Sequence, residues 1–107
     1  MKAAYWQKGE ALDYVNNTKK KIENGEVVIL GNRIGIAGDD MQPGSAGVMH
    51  VTGVFSFDKD GQEAITLGTD VYLSDAGITA TAGGVKAGYA AADSPAESSK
   101  VYVKINA

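Results

Sequence analysis

The stretch Val101-Tyr102-Val103-Lys104-Ile105 is the clearest strand in the chain. Successive side chains of a β-strand point to opposite faces of the sheet, so Val101, Val103 and Ile105 share one face. Tyr102 and Lys104 fall on the other face. This alternation predicts a C-terminal strand with one face against a core and the other toward solvent.

Short strand patterns separated by turn residues continue upstream to residue 12. The chain has 14 glycines and only 2 prolines, and the glycines are dispersed as they are in proteins with many tight turns. We predict an all-β protein, built as a small β-sandwich or a partly open β-barrel with glycine-rich turns. The strand order is not predicted. The predicted strands cover residues 12–15, 27–30, 33–37, 48–57, 71–73, 78–81, 86–92 and 101–105.

Some local features give more specific predictions. Residues 48–57 form the longest predicted strand, with Gly53 as a bulge or a close backbone approach. Residues 74–77 read as a hairpin turn, and residues 19–23 as a helical turn too short to stand alone. No internal repeat with a period of roughly 20–50 residues is evident.

A length of 107 residues predicts a single domain over residues 1–107, with residues 1–10 as a candidate N-terminal arm. A chain of this size supports one modest core, so the fold gains from oligomerisation.

Charge and composition argue against several classes of partner. The net charge is −3, which lacks the basic footprint of a nucleic-acid-binding protein. No stretch approaches the roughly 18 consecutive apolar residues of a membrane helix. The chain has no cysteine and no apolar leader, so we expect synthesis in the cytoplasm, no disulfide and no thiolate metal site.

The sequence offers few candidates for catalysis. His50 is the only histidine, and it falls in mid-strand with no carboxylate beside it in sequence. Asp58 to Gly61 resembles the start of a calcium loop, but Thr69 occupies the twelfth position, where a bidentate Glu is needed. We therefore predict no catalytic residue, no metal site, no cofactor and no enzyme activity.

Tyr5 and Trp6 form the only aromatic pair, in a segment with weak structural signals. Two interpretations remain open. Either Trp6 packs in the core, or the segment is an arm whose aromatic side chains anchor in a partner, as Trp and Tyr often do in protein interfaces.

Ordered motifs span nearly the whole chain: Gly9 and residues 12–14, 24–31, 34–37, Gly44, Gly47, 51–55, Ile65, Gly68, 71–72, 78–79, 87–90 and 101–105. In this order and spacing they resemble a family of tailed-phage and prophage proteins. This family of capsid decoration, or cementing, proteins is often filed as having unknown function, and some members carry a recombinase label. The recombinase label does not fit a chain without a nucleotide-binding loop. The family often has Trp-Asp where this chain has Leu73-Ser74.

The resemblance implies a virion protein, made in the host cytoplasm, that binds the major capsid protein on the head surface and ties capsid subunits together. Because one small protein offers a small interface and a symmetric oligomer repeats it, we also predict a homo-oligomer, with a trimer favoured over a dimer. Residues 1–7 would add to a capsid sheet edge as a strand. The alternatives are another virion component, such as a head–tail connector or a fibre-base protein, and a small β-fold enzyme. The candidate capsid- or subunit-contact residues are Tyr5, Trp6, Tyr14, His50 and Tyr102.

Overall fold

The chain forms nine β-strands and no helix in a computed structural model that describes all 107 residues. The strands are β1 (Ala11–Val15), β2 (Val27–Leu30), β3 (Arg33–Ala37), β4 (Ala46–His50), β5 (Val54–Asp58), β6 (Asp70–Leu73), β7 (Ile78–Thr79), β8 (Lys86–Ala90) and β9 (Lys100–Ile105).

These strands make two antiparallel sheets, so the predicted all-β class is confirmed and the arrangement is that of a sandwich. The smaller sheet has the order β1-β4-β3-β2, and the larger sheet has the order β5-β9-β8-β6-β7. Ile34 and Ile36 of β3 pack against the buried face of the larger sheet. The main core therefore lies between the sheets. Its other buried members come from the larger sheet and the segments that connect its strands, and they are Phe57, Ile65, Val71, Ile78, Ala87, Ala90, Val101, Val103 and Ile105.

The C-terminal strand follows the predicted alternation. Val101, Val103 and Ile105 are buried, whereas Tyr102 and Lys104 face outward. The hairpin predicted at residues 74–77 is also confirmed, because β6 and β7 pair across it.

The single long strand predicted over residues 48–57 is wrong. β4 ends at His50 and β5 begins at Val54, and the two strands belong to different sheets. Gly53, at a φ of 120°, lies in the bend between them. Apolar alternation runs through both strands because each sheet has a buried face, so the sequence pattern does not reveal where the chain crosses from one sheet to the other.

The helical turn predicted at residues 19–23 is also wrong. Ile22 is buried and pairs with Met41 in an isolated antiparallel bridge. Its side chain joins a smaller apolar cluster with Ala37, Met41 and Met49. This tertiary pairing overrides the weak local preference of a lysine-rich segment for helix.

Each sheet contains one copy of the same four-stranded unit, and the larger sheet adds β7 at its edge. This corrects the expectation that no internal repeat exists. Strands β1, β4, β3 and β2 have the same order and directions as β5, β9, β8 and β6. From β1 to Leu30, each residue of the first copy corresponds to the residue 43 positions later, so Leu30 matches Leu73. From β3 to Ser45, the offset is 53 positions, so Ser45 matches Ser98. The change in offset arises because residues 31–32 of the first half are replaced by residues 74–85, which contain β7.

Equivalent hydrogen bonds recur in both halves. Gly25 N–H donates to Ala37 O, and Gly68 N–H donates to Ala90 O. The backbones of Ile22 and Met41 exchange two hydrogen bonds, as do those of Ile65 and Ser94. Asp40 accepts the N–H of Asn24, and Asp93 accepts the N–H of Leu67. The repeat is thus conserved in its hydrogen-bond scaffold more than in its side chains.

A buried polar residue follows the first strand of each half. Asn16 Nδ2 donates to the carbonyls of Lys20 and Met41. Lys59 is 7% exposed, and its Nζ donates to Glu63 O at 2.7 Å, Ser94 Oγ at 3.1 Å and Pro95 O at 2.9 Å. Each of these side chains pins the loop that follows its strand to a distant turn.

Replacing Lys59 by Met tests the contribution of this ammonium to the fold. The apolar stem stays buried while the acceptors lose their donor, so we expect the free energy of unfolding to fall by about 1–3 kcal/mol. Urea unfolding measures the change, with Lys19→Met on the exposed surface as the control. A Lys59→Met protein as stable as the wild type would mean that burying the charge costs as much as its hydrogen bonds contribute.

Candidate interaction surface

His50 lies on the wall of an open groove between the two sheets. Its ring contacts that of Phe55, with 6.0 Å between the centroids and a tilt of 40°. The groove has a volume of about 310 Å³ and also includes Ile36 and Phe57. The ion pairs of the chain all involve lysines, and none includes His50. No group of three or more His, Cys, Asp or Glu residues comes together in a way that could hold a metal.

The N-terminal segment, residues 1–9, belongs to no strand. Tyr5 and Trp6 are 86% and 81% exposed. The interpretation that places Trp6 in the core is therefore wrong. An exposed aromatic pair on a segment outside the sheets has the composition of an interface anchor.

The outward face of the larger sheet carries a second exposed group. Tyr102 and Val54 are 55% and 56% exposed. Lys104 lies between Val54 and Tyr89 on the neighbouring strands, with its Nζ 5.9 Å from the centre of the Tyr89 ring. This face combines aromatic surface with a cation, which is typical of protein contact surfaces.

The five candidate contact residues do not form one patch. Tyr14 is partly buried against the smaller apolar cluster. Its cross-strand partner is Gly47, whereas His50 pairs with Ala11, so the period of two places Tyr14 and His50 on opposite faces of the smaller sheet. Tyr102 is in the other sheet, and Tyr5 and Trp6 precede β1.

Strand β2 forms an unprotected sheet edge that the sequence analysis did not identify as an interaction site. It pairs only with β3. Val27 and Ile29 are 37% and 58% exposed. The two-residue turn at Gly31-Asn32 makes Leu30 and Arg33 a hydrogen-bonded pair. Along β2, hydrogen-bonded and non-hydrogen-bonded residues alternate, so the backbone N–H and C=O groups of Val27 and Ile29 point away from β3, toward the open edge. The sequence predicts the strand, but its edge position follows from the strand order.

An open groove lies on each side of this edge. One has a volume of about 350 Å³ and separates β2 from the β6–β7 hairpin, with Phe57 and Ile78 in its wall. The other has a volume of about 610 Å³ and runs between β2 and residues 18–22. Lys19 and Lys20 line the second groove and make no ion pair within the chain.

Comparisons with known proteins give one match. The family model described as phage cement protein matches residues 6–105. No curated protein and no solved structure matches the chain. None of its elements is a helix of the length and apolarity needed to cross a membrane.

Proposed function

The chain belongs to the phage cement protein family, and from this membership we propose that it binds the outer surface of a phage head and stabilises the contacts between capsid subunits. The match leaves only the first five and the last two residues outside the family model. The family is a structural one, concerned with stabilising capsids, and we extend this to a structural role without catalysis.

The exposed aromatic pair at Tyr5 and Trp6 is the observation that carries the proposal. Two large aromatic side chains more than four-fifths exposed are unusual on a chain that acts alone. We infer that they become buried when the protein binds a capsid subunit, with residues 1–7 adding to a sheet edge of that subunit.

Tyr14, His50 and Tyr102 are the further proposed contacts, with capsid or with neighbouring copies. Tyr102 offers the most surface of these, on the outward face of the larger sheet. Tyr14 and His50 are partly buried, so each would contribute only the edge that it exposes.

A clamp of this kind stabilises a head because its contacts are lost only when capsid subunits separate. One small protein offers a limited interface, and a symmetric oligomer on a symmetry axis repeats that interface. We propose a homo-oligomer, with a trimer at three-fold and local three-fold sites favoured over a dimer at two-folds.

Co-sedimentation with expanded, undecorated heads of the same phage or prophage tests this function. We expect saturable binding at on the order of hundreds of copies per head, together with heads that survive more heat. Saturation at about a dozen copies would instead assign the protein to a connector or a fibre base. No binding to well-formed heads would contradict the proposal.

Trp6→Ala tests the arm itself. Removing an aromatic anchor is expected to weaken head binding by about 30-fold or more while changing the free energy of unfolding by less than about 0.5 kcal/mol. Leu67→Ala is the control, because Leu67 is also largely exposed, at 61%, and lies outside the arm. Equal affinities of the two variants, or a large loss of stability in Trp6→Ala, would assign Trp6 a different role.

A further inference from the structure

Strand β7 shows how an added strand fits one half of the molecule. It pairs with β6 through Tyr72↔Thr79 and Leu73↔Ile78. On its other side, Ile78 O accepts the N–H of Asp60 at 2.8 Å. β7 therefore fills the space between β6 and the segment that follows β5.

A single carboxylate fixes the end of β7 in that space. Glu63 Oε1 accepts the hydroxyl of Thr79 at 3.1 Å and the N–H of Ala80 at 3.0 Å. The inserted segment thus meets an acceptor on the wall opposite β6.

The first half has the same space but no strand in it. The offset of 43 residues makes Ile29 and Leu30 of β2 equivalent to Tyr72 and Leu73, and Lys20 equivalent to Glu63. The groove of about 610 Å³ is lined by Lys20 on one wall and Ile29 on the other. It is therefore the open counterpart of the space that β7 occupies.

The edge of β2 lacks the features by which proteins protect exposed strands. It has no proline, no charged residue and no bulge between Val27 and Leu30. Ile29 is 58% exposed beside unpaired backbone groups. Such an edge favours pairing with another extended segment, which gains main-chain hydrogen bonds and apolar contact.

The wall opposite β2 selects the charge of that segment. Where the second half has the carboxylate of Glu63, the first half has the ammonium of Lys20, with Lys19 beside it. Glu26, just before β2, is the one carboxylate in the lining, against three lysines. Lys21 is bound to Asp40 at 3.7 Å, whereas Lys19 and Lys20 have no ionic partner. The groove therefore complements a segment that presents a carboxylate where β7 presents a hydroxyl and an N–H.

We propose that the groove between β2 and residues 18–22 receives an extended segment of a capsid subunit, with a carboxylate beside an apolar side chain, in the position that β7 fills in the other half. The segment pairs with Ile29 and Leu30 and places its carboxylate at Lys20. The inference rests on the proposed function, and it names a capsid-binding surface separate from the arm.

Hydrogen–deuterium exchange of the full chain, free and bound to undecorated heads, tests the pairing directly. On heads, we expect the amide of Ile29 to exchange at least about tenfold more slowly, because it gains an acceptor from the paired segment. Unchanged exchange on saturated heads would overturn the inference and leave the proposed function intact. Absence of any head binding would overturn both. Slower exchange on raising the protein concentration without heads would make a second copy the occupant and overturn the inference.

A matched pair of variants gives the energetic test. Ile29→Lys is expected to weaken head binding at least about tenfold by placing a charge at the edge, and Leu67→Lys less than about twofold. The two positions are 58% and 61% exposed, so an effect of added charge alone would appear in both. Lys20→Gln should reduce the salt dependence of head binding. Equal affinities for Ile29→Lys and Leu67→Lys would contradict the proposal.

Discussion

Gly88→Ala is expected to unfold the protein or lower its free energy of unfolding by more than about 4 kcal/mol. Gly88 is buried in β8 at a φ of 148°, which L-residues rarely adopt. A Cβ at this position would overlap the carbonyl oxygen of Lys104 in the neighbouring strand β9. The obstacle is backbone in the middle of the larger sheet, so relief requires the separation of two paired strands. Denaturant unfolding monitored by circular dichroism measures the loss.

Two other glycines separate the causes of this effect. Gly83 has the same φ of 148° but no atom within 4 Å of an added Cβ, so Gly83→Ala should cost only the backbone strain of about 1–3 kcal/mol. Gly35 is the equivalent of Gly88 in the first half, and its added Cβ would meet the Met49 side chain at 2.5 Å. A flexible side chain can move, so Gly35→Ala should cost about 1–3 kcal/mol. Equal losses at Gly83 and Gly88 would show that the backbone overlap is relieved without cost.

Most strands could be predicted because their signals are local. β9 shows strict alternation, and β2 and β3 are β-branched or apolar runs joined by Gly31-Asn32. Gly31 has a φ of 63°, which suits the first position of the type II′ turn that joins antiparallel strands. Period, turn chemistry and strand propensity agree at these elements, so the sequence alone indicates them.

The internal repeat could not be predicted because its conserved positions are sparse and its period is interrupted. The insertion around β7 shifts the offset from 43 to 53 residues, so no fixed period runs through the chain. The buried residue after the first strand is Asn16 in one half and Lys59 in the other. These two side chains share a role in holding backbone carbonyls, but sequence comparison treats them as unrelated.

The candidate surface could be predicted only in part. The aromatic pair at Tyr5 and Trp6 is visible in the sequence, but only the structure shows that Trp6 lies outside the core. The open edge of β2 depends on the order of strands in a sheet, and on the absence of a β7 equivalent in the first half. Both are long-range properties that hydrophobic periodicity does not encode.

A second large effect is expected at Asn106, which ties the end of β9 to the smaller sheet. Its Oδ1 accepts the N–H of Ile34 at 3.0 Å, and its Nδ2 donates to Ile34 O and to Val51 O, both at 2.8 Å. The amide group thus pairs with Ile34 as a neighbouring backbone strand would. Asn106 has a φ of 59°, a conformation that Asn tolerates better than most residues.

Asn106→Gly removes the side chain without straining this backbone, and we expect the free energy of unfolding to fall by about 2–4 kcal/mol as buried backbone groups lose their partners. Asn106→Ala should lose about 1–2 kcal/mol more, because Ala is strained at positive φ. Asn106→Asp keeps the acceptor for Ile34 N–H but turns a carboxylate toward the carbonyls of Ile34 and Val51. Above about pH 5, it should therefore be no more stable than the Gly variant. At lower pH the carboxyl protonates and can donate a hydrogen bond, so part of the lost free energy of unfolding should return. Urea unfolding of the three variants at pH 7 and pH 4 measures these differences. An Asn106→Gly protein as stable as the wild type would mean that the apolar core, together with the bond from Ile105 N–H to Gly53 O, holds the two sheets without the side chain of Asn106.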